Sequence, residues 1–68
     1  MSKLKDRRNA KHISQCRLSE ISGVNIRMIQ YYEQGRSDIN KAEALSVYKL
    51  AKALECRIED LLELDEAL

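Results

Sequence analysis

The chain has 68 residues, a length that suits a single domain spanning residues 1–68 and leaves little room for a deep catalytic cavity. Its composition, 44% hydrophobic and 34% charged, is that of a folded globular domain rather than a disordered segment. No apolar run is long enough to cross a membrane and no signal sequence precedes the cysteines, so we expect a cytoplasmic protein with reduced thiols.

The net charge is only +1, but the two halves of the chain differ in sign. Residues 1–36 hold eight Lys and Arg against three Asp and Glu, and residues 37–68 hold four against eight. The halves therefore carry +5 and −4. This polarity favours an anionic partner on the amino-terminal side.

The amino-terminal stretch predicts one short helix. Ser2 is a suitable N-cap for a helix that runs to about Lys11, with Leu4 as its apolar anchor. His12 follows at a corner where we expect a positive φ, which His tolerates better than most residues. Its only nearby soft ligand is Cys16, so we expect no metal and no cofactor.

Residues 14–34 predict two short helices joined by a tight corner. Ser14 is a good N-cap for the first, Gly23 can end it in the left-handed conformation, and Asn25 can cap the second. A helix, a Gly-centred turn and a second helix form a helix-turn-helix unit. The apolar side chains expected to converge between them are Leu18, Val24, Ile29 and Tyr32, with Ser19 small enough for a close helix crossing.

The outer face of the second helix carries planar hydrogen-bonding groups. Arg27, Gln30, Tyr31 and Gln34 follow i, i+3, i+4, i+7 spacing and so share one face. Arg can contact guanine bidentately, Gln can do so with adenine, and Ile26 at the helix tip suits a thymine methyl. This face is therefore predicted to read DNA bases.

The carboxyl-terminal half predicts two further helices. Asn40 and Glu43 have capping-box spacing, which indicates a helix over about 41–54, and Ile39 is expected to point inward before it. A last helix is expected over about 58–64. The predicted core positions are Ala44, Val47, Leu50, Ala51 and Leu54 on the first of these helices, and Ile58, Leu61 and Leu62 on the second.

Several residues of this half depart from a simple pattern. Glu55 stands where a Gly often ends such a helix, so we expect a differently built corner, and Cys56 is expected to act as a small buried hydrophobe. Some apolar residues are surplus to the core of a monomer and favour a homodimer. They are Leu45, Tyr48, Leu64 and Leu68.

The joint spacing resembles the XRE family, the class of the phage Cro protein and lambdoid repressors. The matching positions, which lie between Leu4 and Leu62, are Arg8, Ser14, Gln15, Leu18, Gly23, Val24, Ile29, Glu33 and Gly35, followed by residues 50–54 and 58–62. The resemblance implies an all-α, compact five-helix lambda-repressor-like DNA-binding domain. It also implies that Arg8 pairs with Glu33, and that Gln15 grips the DNA backbone.

The leading functional prediction is a sequence-specific double-stranded DNA-binding transcriptional regulator, most simply a small repressor that binds a palindromic operator as a homodimer. Arg27 and Gln30 are predicted to contact base edges, with Ile26 and Tyr31 making apolar or phosphate contacts. The predicted DNA-backbone contacts are Gln15, Arg17, Asn25, Gln34 and Arg36.

The alternative is a protein-interaction module, such as an antitoxin that binds a partner protein through its acidic carboxyl-terminal helices. Salt separates the two, because DNA binding through Lys and Arg weakens steeply as salt rises. Enzymatic activity and a small-molecule site are not expected. The chain has one His, no nucleophile with a matching base and no Gly-rich phosphate loop.

Overall fold

Four α-helices and two short 3-10 turns make up the regular structure of the computed structural model, which describes residues 2–63. Helix α1 spans Lys3–Ala10, α2 spans Gln15–Ser22, α3 spans Ile26–Gln34 and α4 spans Ala44–Leu54. The 3-10 turns are Ile39–Lys41 and Ile58–Asp60. No strand occurs within residues 2–63, so the all-α prediction is confirmed, whereas the expected fifth helix is replaced there by a single 3-10 turn.

Polar caps begin the first three helices, as predicted. The hydroxyl of Ser2 accepts the main-chain N–H of Lys5 at 3.1 Å, and that of Ser14 accepts the N–H of Arg17 at 3.0 Å. Each cap satisfies an amide that the first helical turn leaves without a partner. No helix within residues 2–63 is long and apolar enough to span a membrane.

Two non-glycine residues adopt the left-handed conformation at corners between elements. His12 has φ 58°, as predicted for the turn after α1. Glu55 has φ 55° and ends α4, and the N–H of Cys56 returns to the carbonyl of Ala51 at 3.0 Å. The expectation of a differently built corner was wrong, because Glu55 takes the conformation that Gly commonly supplies.

The core draws side chains from all four helices and from the segments between them. Six leucine and isoleucine side chains are almost fully enclosed, and burying each contributes roughly 1.5–3 kcal/mol. The remaining core residues are smaller or lie nearer the rim. The complete set is Leu4, Leu18, Val24, Ile29, Ile39, Val47, Leu50, Ala51, Leu54 and Leu61.

Helix α4 begins three residues later than predicted, at Ala44. The side chain of Asn40 does not cap it, because its amide pairs with the main chain of Glu63 through two hydrogen bonds of 2.8 Å. Ala42 is extended, with ψ 158°, and separates the 3-10 turn from α4. Glu43 takes the cap position without a side-chain hydrogen bond, and Ala44 is exposed rather than buried.

The segment after α4 is a 3-10 turn where a helix over 58–64 was predicted. Asp60 accepts the main-chain N–H of Arg57 at 3.0 Å and closes this turn on itself. Leu61 is fully buried and Leu62 partly so, whereas Ile58 is 37% exposed and does not close the core. Leu64 and Leu68, which were predicted to be surplus, lie outside the described residues.

Candidate nucleic-acid interface

Helix α3 is fixed from its inner side. Ile29 is fully buried, Tyr32 packs against the core, and α3 contacts both α1 and α2. The side chain of Asn25 caps its start by accepting the N–H of Arg27 at 2.7 Å. These contacts fix the position of α3, and with it the positions from which its outward-facing side chains project.

The corner between α2 and α3 is tied by side chains as well as by glycine. Gly23 has φ 77°, the predicted left-handed end of α2. The hydroxyl of Ser19 donates to the carbonyl of Val24 at 2.6 Å, and the N–H of Val24 donates to Ser22 Oγ at 3.1 Å. The sequence interpretation of Ser19 as a merely small residue missed this bond, which fixes the angle between the two helices.

The outer face of α3 presents the predicted polar side chains to solvent. Arg27 and Gln34 are exposed, and Gln30 and Tyr31 are half-buried on the same face. Ile26 is 36% exposed at the amino-terminal tip. The described chain leaves this face uncovered, as a groove-reading helix requires.

The arginines divide into two groups by their partners. Four of the six lie within 4.0 Å of a carboxylate, namely Arg7, Arg8, Arg17 and Arg57. Arg27 and Arg36 have no carboxylate within that distance among residues 2–63. One lies on α3 and the other directly follows its cap. Within residues 2–63, the guanidinium groups without a carboxylate neighbour are therefore on the candidate reading helix and directly after its cap.

A buried ion pair joins α1 to the end of α3, as the resemblance implied. Arg8 Nε and Nη2 donate to the two carboxylate oxygens of Glu33 at 2.8 and 3.0 Å. The side chains are 12% and 2% exposed, and the hydrogen bond to Glu33 raises the pKa of the Arg8 guanidinium. Arg8 Nη1 also donates to the carbonyl of Ile13 at 2.8 Å, which holds the α1–α2 corner.

Gln15, at the start of α2, joins the same network. Its Nε2 donates to Glu33 Oε1 at 3.1 Å. The carboxamide is therefore oriented by the protein, and its oxygen and second N–H remain for another partner. Beside it, the pair of Arg17 and Glu20 is loose, at 3.7 Å, and both side chains are more than 60% exposed. No pattern in the sequence indicates the bond between Gln15 and Glu33.

Arg36 lies over the ring of Tyr31, with its Cζ 5.3 Å from the ring centroid. Gly35, with φ 75°, turns the chain back after α3. The N–H groups of Arg36 and Ser37 both donate to the carbonyl of Tyr31, at 2.8 and 3.3 Å. The DNA contact of Tyr31 stays a prediction, and the structure adds that Arg36 lies over its ring.

The charge contrast between the two halves of the chain is partly neutralised where α1 meets the carboxyl-terminal segment. Arg7 Nη2 lies 3.7 Å from Asp60 Oδ1, and Lys11 Nζ lies 2.6 Å from Glu55 Oε1. Cationic side chains of α1 thus face acidic ones of the second half. Among the described residues, the lysines without such a partner lie on α1, in the 3-10 turn 39–41 and on α4, whereas the arginines without one are Arg27 and Arg36.

An apolar surface is formed by α4 and the 3-10 turn that follows it. It consists of Leu45, Tyr48 and Ile58, and we call it the α4 patch. These side chains are 59%, 48% and 37% exposed. Tyr48 and Ile58 line an open groove of about 280 Å³ together with Lys52, whose ammonium is 6.0 Å from the Tyr48 ring centroid. The groove contains side chains of both charge signs, since Glu59 also lines it.

No metal-binding constellation is found in the part of the chain that the structure describes, where no three His, Cys, Asp or Glu side chains cluster suitably. Cys56 packs against the core, and burial raises the pKa of its thiol, which suits the predicted role of a small hydrophobe. Cys16 is exposed on α2.

Comparison with protein families gives one match, to a family described as helix-turn-helix, over residues 4–61. Comparisons with curated proteins and with solved structures gave no match. The family match covers α1 to α4 and the 3-10 turn that follows, and so includes every candidate contact residue described above.

Proposed function

The chain belongs to the XRE family of helix-turn-helix proteins, a DNA-binding regulatory family that is typically non-enzymatic, and from this premise we propose that it is a sequence-specific transcriptional repressor. Its target would be double-stranded DNA in the cytoplasm. The observation that carries the proposal is that the two arginines without a carboxylate partner among residues 2–63 lie on α3 and at its cap.

In this proposal α3 enters the major groove while α2 crosses the DNA backbone. Arg27 and Gln30 hydrogen-bond to base edges, and Ile26 contacts a thymine methyl. Because Ile29 and Tyr32 anchor α3 from behind, the outer side chains approach the bases from a fixed frame. Preorganised contacts lose less conformational freedom on binding than mobile ones do.

Phosphate contacts would flank α3 on both sides. One DNA strand would be contacted by Gln15 and Arg17, which lie at the start of α2. The other strand would be contacted by Gln34 at the end of α3 and by Arg36 just after its cap. Asn25 adds a contact through the N–H groups that its capping role leaves available, because only its oxygen accepts from Arg27. Such contacts fix register and orientation, and the base contacts supply the specificity.

We further propose that two copies associate through the α4 patch and bind a palindromic operator. Leu45 and Tyr48 share one face of α4, and Ile58 lies beside Tyr48. A twofold interface brings the same surface of each copy together. Because this surface carries both Lys52 and Glu59, the two copies can place opposite charges against each other. The half-sites would lie about 34 Å apart. Repression then follows from occupying DNA that polymerase needs.

The test is selection of bound sequences from random duplexes, with Arg27→Ala and Arg7→Ala compared. Both variants lose one guanidinium, but Arg7 lies on α1 and is paired with Asp60 of the 3-10 turn after α4. We expect wild type and Arg7→Ala to select the same palindrome, and Arg27→Ala to lose preference at one base pair per half-site. Recovery of no preferred sequence by wild type would contradict the proposal.

A protein-binding function, such as that of an antitoxin, is favoured by one observation, the exposed α4 patch. A partner protein on this patch would make largely apolar contacts that respond weakly to salt. DNA binding by the arginines of α3 responds strongly. Leu45→Ser should weaken a protein complex or the homodimer, and should leave the DNA contacts of a single subunit intact.

A further inference from the structure

We infer that Tyr31 is a positioning residue that holds the Arg36 guanidinium for a DNA phosphate, rather than a residue that itself contacts a base. The inference rests on the proposed DNA-binding function and assigns a partner within it. It starts from the ring of Tyr31, one face of which lies against Arg36 at 5.3 Å.

Two separate restraints bring Arg36 to this place. The main chain returns to the carbonyl of Tyr31 through the N–H of Arg36 at 2.8 Å, a closure that needs the left-handed Gly35. The side chain then stacks on the ring of the same residue. Both the backbone and the side chain of Arg36 are thus held in place by contacts with Tyr31, a residue of α3.

The stack leaves the hydrogen-bonding edge of the guanidinium available. The N–H donors of arginine point outward in the plane of the group, and the Tyr31 ring, whose centroid is 5.3 Å from Cζ, accepts no conventional hydrogen bond from them. Among residues 2–63, no carboxylate lies within 4.0 Å of Arg36 and no side-chain hydrogen bond engages it. A planar fork of donors held at the end of α3 suits a phosphate oxygen pair.

The contact with Tyr31 also reduces the side-chain conformational entropy that Arg36 loses on binding DNA. A free arginine side chain samples many rotamers and loses that freedom when it contacts DNA. Removing the ring should therefore weaken binding even though no atom of Tyr31 touches the phosphate. A cation–π contact at an exposed site corresponds to a change of about two- to fivefold in affinity.

A double-mutant cycle on the selected operator duplex tests this. Tyr31→Leu should weaken binding about two- to fivefold in the wild-type background and cause no further loss in the Arg36→Gln background. Tyr31→Phe keeps the ring and should bind like wild type. Arg17→Gln is the matched control, because its effect should multiply with that of Tyr31→Leu. Equal loss from Tyr31→Leu in both backgrounds, or loss from Tyr31→Phe, would overturn the inference.

The stack can also be measured without DNA and without a variant that has to fold. In the NMR spectrum of the free wild-type protein, the ring of Tyr31 should shift the side-chain resonances of Arg36 and give NOEs to them. Absence of both would overturn the inference. If these signals are present while wild type binds no duplex, the DNA-binding function and the positioning role toward phosphate both fail, and only the stack stands. If wild type binds but the cycle is additive, the positioning role alone fails.

Discussion

Breaking the pair of Arg8 and Glu33 should be among the most damaging single changes to this fold. Glu33 accepts three hydrogen bonds, two from Arg8 and one from Gln15, while its side chain is only 2% exposed. Glu33→Ala leaves a largely enclosed guanidinium with the carbonyl of Ile13 as its remaining partner. An uncompensated buried charge costs about 3–5 kcal/mol.

That cost is large against the stability of so small a domain. At roughly 0.05–0.15 kcal/mol per residue, a chain of this length has a free energy of unfolding of about 3–10 kcal/mol. Because Arg8 retains 12% exposure, we expect the lower end of the range for Glu33→Ala, about 3 kcal/mol. The variant should then retain about 0–7 kcal/mol, and at the low end of this range about half of its population is unfolded.

The assay is urea denaturation followed by circular dichroism for five proteins: wild type, Glu33→Ala, Arg8→Met, Glu33→Leu and the double variant Arg8→Met/Glu33→Leu. The double variant should be more stable than either single variant, because it removes both charges instead of stranding one.

Two outcomes would refute this reasoning. If both single variants cost less than about 1 kcal/mol, the pair behaves like an exposed salt bridge and is not enclosed as described. If the two single effects add in the double variant, the side chains do not interact energetically.

Three other predictions concern α3 and the carboxyl-terminal turn. Arg27→Ala should weaken operator binding by ~1–3 kcal/mol and relax preference at one base pair, whereas equal loss on every duplex would assign Arg27 to phosphate. Asn25→Ala should lower the free energy of unfolding by ~1 kcal/mol, and Asn25→Asp should keep the cap but weaken DNA binding through its charge. An unchanged urea midpoint for Asn25→Ala would exclude the capping role. The hydrogen bond from the Arg57 main chain lowers the pKa of Asp60, so its stabilising effect is present above the unfolded value of about 3.9 and is lost as pH falls through the lower folded value. Asp60→Asn should therefore flatten the acid end of the stability profile, and an identical profile would contradict this.

The features that could be predicted from the sequence are those set by interactions between near neighbours in the chain, such as the ends of helices. Ser14, Gly23 and Asn25 mark helix ends through bonds and dihedral angles that involve only near neighbours, and each occupies the place expected for it. The core positions Leu18 and Ile29 followed from helical periodicity. These inferences needed no knowledge of distant contacts.

The carboxyl-terminal half was harder because distant contacts override local signals there. Asn40 and Glu43 have the spacing of a capping box, but Asn40 pairs with Glu63, 23 residues away, and α4 starts later. Ile58 fits a helical apolar pattern that a 3-10 turn does not continue. The bond between Asn40 and Glu63 has no signature in the residues next to Asn40.

The candidate site shows the same division. The outward face of α3 followed from spacing, and the residues on it stay predictions as DNA contacts until binding is measured. The bond between Gln15 and Glu33 and the stack of Arg36 on Tyr31 depend on how segments meet in space. They become visible once the helix-turn-helix is assembled, and the contact of Arg36 with Tyr31 is the basis of the positioning role proposed for Tyr31.

The salt dependence of duplex binding tests the central claim most directly, because that claim is that α3 and its cap present unpaired guanidinium groups to DNA. Fluorescence anisotropy with the selected duplex should give a linear fall of log affinity with log salt, at a slope near −0.9 per phosphate contact. Arg36→Gln should reduce the magnitude of this slope by about 0.9, and Arg7→Ala should leave it unchanged. Affinity that is indifferent to salt, or no binding to any duplex at low salt, would contradict the account.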